Sequence, residues 1–299
     1  MRTLDTGYKK IIPTIEKTLQ DKISAYIKIN TISPVYGGDI NQSFKVITNQ
    51  GIFFLKLNDA VLYPGMFEKE AHGLMLLRNT DTVYVPEVIA AGVTGHEAFL
   101  LMEYIDTCNR KPERFWENFG IQLAEMHRNT NKFYGLDEDN YIGSLMQINT
   151  PDDSWVNFYI EKRLKPQIKL AVSNKKIDAE TVEKFELLFD KLHNILPDEL
   201  PHLLHGDLWS GNLIALNEET PVLIDPAVYY GNREVDLAMT RLFGGFDEMF
   251  YTAYNDAYPL LPGWEERVPV YQLYPLMVHL NLFGGSYRFA IEDTLRLFV

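Results

Sequence analysis

The feature that most constrains this chain is a triplet of polar side chains set among apolar, strand-like residues. In LLHGDLWSGNLIALNEETPVLIDPAVYYGNRE, residues 203–234, Asp207 stands five residues before Asn212, and Asn212 stands thirteen before Asp225. An isolated carboxylate loses its water on burial at a high cost in free energy, so a fold that accepts these groups must supply a compensating charge. LIAL and VLID can pair as a hairpin across NEETP. That pairing brings Asn212, just ahead of one strand, beside Asp225 at the end of the other, with Asp207 in the same loop. Three oxygen-bearing side chains at one end of a hairpin suit Mg²⁺, a hard cation that favours carboxylate and amide oxygens together with substrate phosphates. The bland alternative makes both aspartates turn residues or helix caps, as is common beside Pro and Gly. It leaves the spacing and the strand context to coincidence.

The totals fit a globular enzyme. With 299 residues, 46% hydrophobic and 23% charged, the chain can bury a large core in one large domain or two lobes. A net charge of −13 repels phosphate backbones and anionic membranes, which argues against a nucleic-acid or membrane role without forbidding a local basic pocket for a nucleotide. The single cysteine, Cys108, permits no intrachain disulfide, reads as an incidental thiol, and points to a reducing, cytoplasmic setting. No stretch has signal-peptide or membrane-span character.

Along the chain, Ile11, Ile15, Leu19 and Ile23 recur at helical spacing. β-rich runs follow, two of them joined by Asn49-Gln50-Gly51, a hairpin signal. PGMFEKEAHGLMLLRN is expected to be a helix with Pro64 in its first turn and Phe67, Ala71, Leu74 and Leu77 as its apolar stripe. Two further strands end near residue 102, and the remainder is mainly helical. The expected fold class is α+β, with a small mixed-sheet lobe over 1–102 and a helical lobe over 103–299.

The triplet resembles the protein-kinase pattern of an aspartate, an asparagine five residues on, and a metal-binding aspartate beyond it. That likeness implies Asp207 as the base for an attacking hydroxyl, Asn212 and Asp225 as Mg²⁺ ligands on ATP, and His205 as a scaffold of the loop. Lys56, ending IFFLK, would reach the α- and β-phosphates, although alone it reads as a solvated strand end. Glu70 borders the buried stripe of the next helix and is favoured over Glu68 as the partner of Lys56. Gly37 and Gly38 could let a turn approach phosphates, though hairpin glycines are common. Met102, Glu103 and Tyr104 would form a hinge whose backbone meets adenine; an ordinary last strand is the alternative. Asp236 reads as a helix cap or a brace for the loop, and His127 as a packed histidine.

HGDLWSGN at 205–212, DPAVYYGNREVDLAM at 225–239, LFGGF at 242–246 and SWVNFYIEKRLKPQIKLA at 154–171 resemble the fructosamine kinase (ketosamine 3-kinase) family, and MFEKEAHGL, VPEV, LAEMHR and DNYIGSLMQIN extend the likeness over nearly the whole chain. The resemblance implies a protein-kinase-like fold and ATP-dependent phosphorylation of the 3-hydroxyl of a ketosamine, leading to deglycation of proteins or small amines. A kinase for an aminoglycoside or amino alcohol is the alternative. It also implies Trp209, Tyr229 and Tyr230 on the acceptor side, with packing as the equal alternative. Asn232 stands where the family usually has histidine, which bears on substrate preference. Some relatives carry a subunit-linking cysteine in the glycine-rich turn; this chain has none between Val35 and Phe44.

Overall fold

The computed structural model describes residues 10–36 and 40–299. The expected phosphate-loop glycines, Gly37 and Gly38, lie outside the described residues.

The chain opens with helix α1, Ile12–Ile23, whose Ile15 and Leu19 are buried. The strands β1 (Ile29–Val35), β2 (Gln42–Thr48), β3 (Ile52–Asp59), β4 (Val88–Thr94) and β5 (Glu97–Glu103) form one antiparallel sheet in the order β1-β2-β3-β5-β4. Asn49-Gln50-Gly51 turns β2 into β3 as the sequence suggests, with Ile47 opposite Ile52. Alternation along β3 sends Phe53, Leu55 and Leu57 into a cluster with Ile15 and Leu19 of α1, and turns Lys56 to the other face. Helix α2, Met66–Arg78, crosses that other face. Pro64 is not in its first turn: Gly65, at φ 71°, makes the corner, and the helix begins one residue later.

The helical half contains α3 (Glu113–His127), α4 (Trp155–Phe158), α5 (Lys165–Ser173), α6 (Ala179–Ile195), α7 (Glu234–Leu242), α8 (Glu248–Ala257), α9 (Trp264–Phe283) and α10 (Tyr287–Phe298). A π-helical segment, Tyr159–Leu164, joins α4 to α5 into one helical run where the sequence suggests a single helix. Three two-stranded ribbons punctuate this half: β6 (Asn140–Ile142) with β7 (Leu145–Gln147), β8 (His202–Leu204) with β11 (Tyr229–Gly231), and β9 (Leu213–Ala215) with β10 (Pro221–Leu223). The last is the hairpin expected from LIAL and VLID, in the register Leu213–Leu223.

Apolar burial falls into three clusters. One lies between the sheet and α1, and one fills the helical half. The third is shared: Phe67, Leu74 and Leu77 of α2 and Leu100 and Met102 of β5 pack with Phe115, Phe119 and Leu123 of α3 and with Leu213 and Leu223 of the β9–β10 hairpin. No helix among the described residues is long and apolar enough to cross a membrane.

Candidate active site

The loop carrying Asp207 leaves β8 and is fixed on every side before its chemistry begins. Asp236, fully buried in the first turn of α7, accepts hydrogen bonds from the backbone N–H of His205 (2.7 Å) and of Gly206 (2.9 Å). His127 of α3 lies with Nε2 3.2 Å from the same carboxylate, and its Nδ1 is 2.8 Å from the Tyr254 hydroxyl. Gly206 adopts φ 81°, and a Cβ there would stand 2.1 Å from the Ala227 carbonyl oxygen, so only glycine fits. His205 Nδ1 accepts from the Asp207 N–H at 3.3 Å, and its Nε2 donates to the Ile224 carbonyl at 3.0 Å. This pair of bonds suits the neutral ring, and burial lowers the imidazole's pKa in the same sense. Asp236 and His205 therefore brace the loop, and His127 is a packed histidine, as the sequence suggests.

Asp207 itself faces a cleft of about 490 Å³ between the two halves. Burial pushes its carboxyl up to about 7; the Asn212 amide opposes that rise, and the charges of Asp225 and Asp236 add to it. Asn212, at the end of a 3₁₀ turn (Ser210–Asn212), donates Nδ2 to the Asp207 carbonyl at 2.8 Å and to its carboxylate at 3.1 Å. This leaves the Asn212 side-chain oxygen as its ligand atom. Asp225 follows β10 in a left-handed conformation, φ 55°, which a non-glycine residue adopts only when its surroundings enforce it. Its Oδ1 lies 2.7 Å from Lys56 Nζ, and Glu70 Oε1 lies 2.6 Å from the same nitrogen. Burial pulls the Lys56 ammonium's pKa down, but the Asp225 and Glu70 carboxylates outweigh it and hold the pKa above the ordinary lysine value. Burial raises Glu70 against the pull of the ammonium, and Asp225 adds to the rise.

The donor set fits a hard cation. Among the described residues no three His, Cys, Asp or Glu side chains converge as a dedicated metal cage. One carboxylate and one amide oxygen beside a lysine suit Mg²⁺ that arrives with phosphate oxygens as its other ligands. Asn212 and Asp225 are the residues that would hold it.

The cleft lining also includes aromatic side chains. Trp209 and Phe243 meet edge to face at 6.2 Å between ring centres, and Phe243 lies 4.9 Å from His279. Tyr274 and His279 come from α9, and all four line the cleft. Burial lowers the His279 imidazole. Of the residues suggested for the acceptor side, Trp209 lines this wall, but Tyr229, Tyr230 and Asn232 do not. Tyr229 is buried against the Arg163 guanidinium, 3.9 Å from ring centre to Cζ. Tyr230 exchanges backbone hydrogen bonds with Gly135. Asn232 is buried and accepts from the Glu234 N–H at the start of α7. Their packing roles follow from the β8–β11 ribbon, which turns residues 229–232 behind the loop rather than into the cleft. The sequence reading did not assign Phe243, Tyr274 or His279 to the site; the signals present were the LFGGF stretch at 242–246 and a histidine inside the largely apolar run PLMVHLNLF.

Met102, Glu103 and Tyr104 also lie off this cleft. The Glu103 N–H is bound to the Glu87 carbonyl (2.9 Å), and its carboxylate accepts from the Tyr84 hydroxyl (2.6 Å) and the Glu87 N–H (3.1 Å). The Glu103 N–H is therefore committed within the protein, and Met102 packs in the shared core.

A sheet lobe whose lysine is gripped by a helix glutamate, over a helical lobe presenting an aspartate, an asparagine and a second aspartate at one cleft, defines an ATP-dependent phosphotransferase of protein-kinase-like fold. Residues 11–299 match the family model described as "Fructosamine kinase", and the chain belongs to that family. It is 40% identical to "Probable ketoamine kinase" of Enterococcus faecium over 275 residues, covering 91% of this chain and 97% of that protein. It is likewise 40% identical to "Protein-ribulosamine 3-kinase, chloroplastic" of Arabidopsis thaliana over 280 residues, 90% of this chain and 84% of that one. The solved structure of a "Putative fructosamine-3-kinase" from Haemophilus somnus superposes with a TM-score of 0.88 at 29% identity, covering 98% and 99% of the two chains. A ternary complex of the aminoglycoside phosphotransferase APH(4)-Ia with AMP-PNP and hygromycin B shares the fold, with a TM-score of 0.63 at 16% identity over 95% of this chain and 98% of that one.

Proposed function

We propose that this protein transfers the γ-phosphoryl group of ATP to the 3-hydroxyl of a ketosamine, with Asp207 as the base. The observation that carries the reading is the position of Asp207. It lines one cleft with Lys56, Asn212 and Asp225 and with the aromatic side chains of Trp209, Phe243 and His279, and its carboxyl is raised to about 7. A hydroxyl held against that wall gives its proton to the Asp207 carboxylate as its oxygen bonds the γ-phosphorus. The bond from that phosphorus to the bridging oxygen breaks, and ADP leaves with the electron pair. Lys56 holds the α- and β-phosphates, and Glu70 holds Lys56. Asn212 and Asp225 would hold Mg²⁺, which when bound would supply positive charge against the phosphates. Aromatic faces suit the apolar face of a sugar. The 3-phosphate leaves more readily than a hydroxyl, so the adduct breaks down and releases its amine, which is the deglycation step. Cys108 as the lone thiol supports a reducing cytoplasm as the setting; the name of the Arabidopsis relative assigns that protein to the chloroplast.

ATP consumption with fructosamine, ribulosamine and erythrulosamine acceptors, beside an aminoglycoside and choline, tests this reading. Turnover confined to ketosamines is expected; strong turnover of the aminoglycoside with none of the ketosamines would replace it. Asp225→Ala is expected to raise the Mg²⁺ concentration for half-maximal rate about tenfold or more, measured by metal titration at saturating ATP. Unchanged metal dependence would remove Asp225 as a ligand.

A further inference from the structure

Glu70 can meet Lys56 only if α2 arrives at a fixed place, and the contacts that set that place are carried by a segment the proposed chemistry leaves unused, residues 138–141. Lys69, beside Glu70 on α2, lies 3.4 Å from Glu138 Oε2 and donates to the Asp139 carbonyl. His72, one turn from Lys69, donates Nδ1–H to Glu138 Oε1. The Tyr141 hydroxyl donates to the Pro64 carbonyl, just ahead of α2, at 3.0 Å. On its far side the same segment is tied to the chain that follows Asp225. Asn140 Nδ2 donates to the Val228 carbonyl at 2.7 Å, and Gln147 Nε2 donates to Asn140 Oδ1 at 2.8 Å and to the Ala227 carbonyl at 3.0 Å. Asn149 fixes Glu138 in turn, donating Nδ2 to its carbonyl at 3.1 Å. Helix α2 also rests directly on this segment: a Cβ added at Gly73 would come within 3.2 Å of Val228 Cγ2. The contacts close a ring that runs from Lys56 through Glu70, α2, Glu138, Asn140, Val228 and Asp225 back to Lys56.

We propose that Glu138 is a positioning residue for phosphoryl transfer: by tying Lys69 and His72 of α2 to the segment that follows Asp225, it sets the separation at which Glu70 and Asp225 both grip Lys56. The proposal rests on the reading of Lys56 as the phosphate ligand. The side chains of Lys69, His72 and Glu138 are 21%, 32% and 37% exposed, so these pairs contribute little to global stability. Their effect is geometric, because a helix displaced by an ångström loses a 2.6 Å contact at Glu70. Glu138 itself does not line the cleft, so Glu138→Gln leaves every side chain of the cleft wall in place.

The test is a cycle of Glu138→Gln and Glu70→Ala, read by calorimetric titration with Mg²⁺ and AMP-PNP and by steady-state kinetics. Glu138→Gln is expected to weaken AMP-PNP binding and raise the KM for ATP about five- to twentyfold, at the low end of ordinary site-to-site coupling. The acceptor KM stays within about twofold and the melting temperature is nearly unchanged. In the Glu70→Ala background Glu138→Gln should add less than about twofold, because the helix then has no grip to lose. His72→Phe removes part of the same tie from a residue outside the cleft and should weaken AMP-PNP binding in the same direction if Glu138→Gln proves unstable. Unchanged nucleotide affinity in both variants, full additivity with Glu70→Ala, or equal loss of both substrates' KM overturns the proposal. A wild-type enzyme that turns over no ketosamine would refute the acceptor reading instead, and the AMP-PNP titrations would still decide the role of Glu138.

Discussion

Burial gives Asp207 two properties of opposite sign. Its carboxyl titrates near 7 rather than at 3.8, so the folded chain binds more protons than the unfolded chain between those values. The stability of the nucleotide-free enzyme therefore falls as pH rises through that window, while the base becomes competent only as pH passes its upper end. We expect kcat/KM for the acceptor to fall up to about tenfold per unit as pH drops below about 7, with the limb moved lower where bound metal favours the carboxylate. A profile between pH 5.5 and 8.5 with no acid limb would remove Asp207 as the titrating base. Asp207→Asn should lower kcat by about 10²–10⁴. The same substitution removes the buried charge and should raise the melting temperature of the nucleotide-free protein by about 1–3 °C, read by calorimetry at pH 8. A stabilised, inactive enzyme is the signature of a group kept for chemistry at the expense of the fold.

At the scale of elements, the loop depends on α7. Asp236→Ala orphans two buried N–H groups and one histidine nitrogen at once, each costing about 1–3 kcal/mol. Urea unfolding should show a loss of about 3 kcal/mol or more, well above that of a surface change; a loss under about 1 kcal/mol would mean the loop has another brace. This part of the site was legible in the sequence, because Asp207, Asn212 and Asp225 are close along the chain and the β9–β10 hairpin needs only local pairing. The hairpin of β2 and β3 was legible for the same reason. The acceptor wall was not. Tyr274 and His279 come from α9, more than sixty residues beyond Asp207, and α9 buries residues around most of its circumference. A helix apolar on nearly all sides carries no stripe to say which residue meets a cleft. Strands β8 and β11 pair across the whole of residues 205–228, so no local turn announces their ribbon as one announces β9–β10. Hence Tyr229, Tyr230 and Asn232 read as acceptor residues when their strand and its continuation turn them behind the loop.

At the scale of the molecule, the sequence locates the change from strands to helices close to where β5 ends, but the packing crosses it. Alpha2 and β5 share one apolar cluster with α3 and the β9–β10 hairpin. We therefore expect residues 1–102 and 103–299, expressed separately, to give aggregated or protease-sensitive chains, since each half leaves part of that cluster open to water. Circular dichroism and limited proteolysis would check this, and two stable, soluble halves would contradict it. Lys56 depends on the same crossing, because one of its two partners is 169 residues away. During synthesis the chain emerges from its amino end, and the Lys56–Asp225 contact cannot form until Asp225 has cleared the ribosome. Tyr274 and His279 come later still, 49 and 54 residues beyond Asp225. A nascent chain thus carries Lys56 without the Asp225 carboxylate and without the Tyr274 and His279 side of the cleft, so the proposed site cannot close until the segment through His279 has emerged.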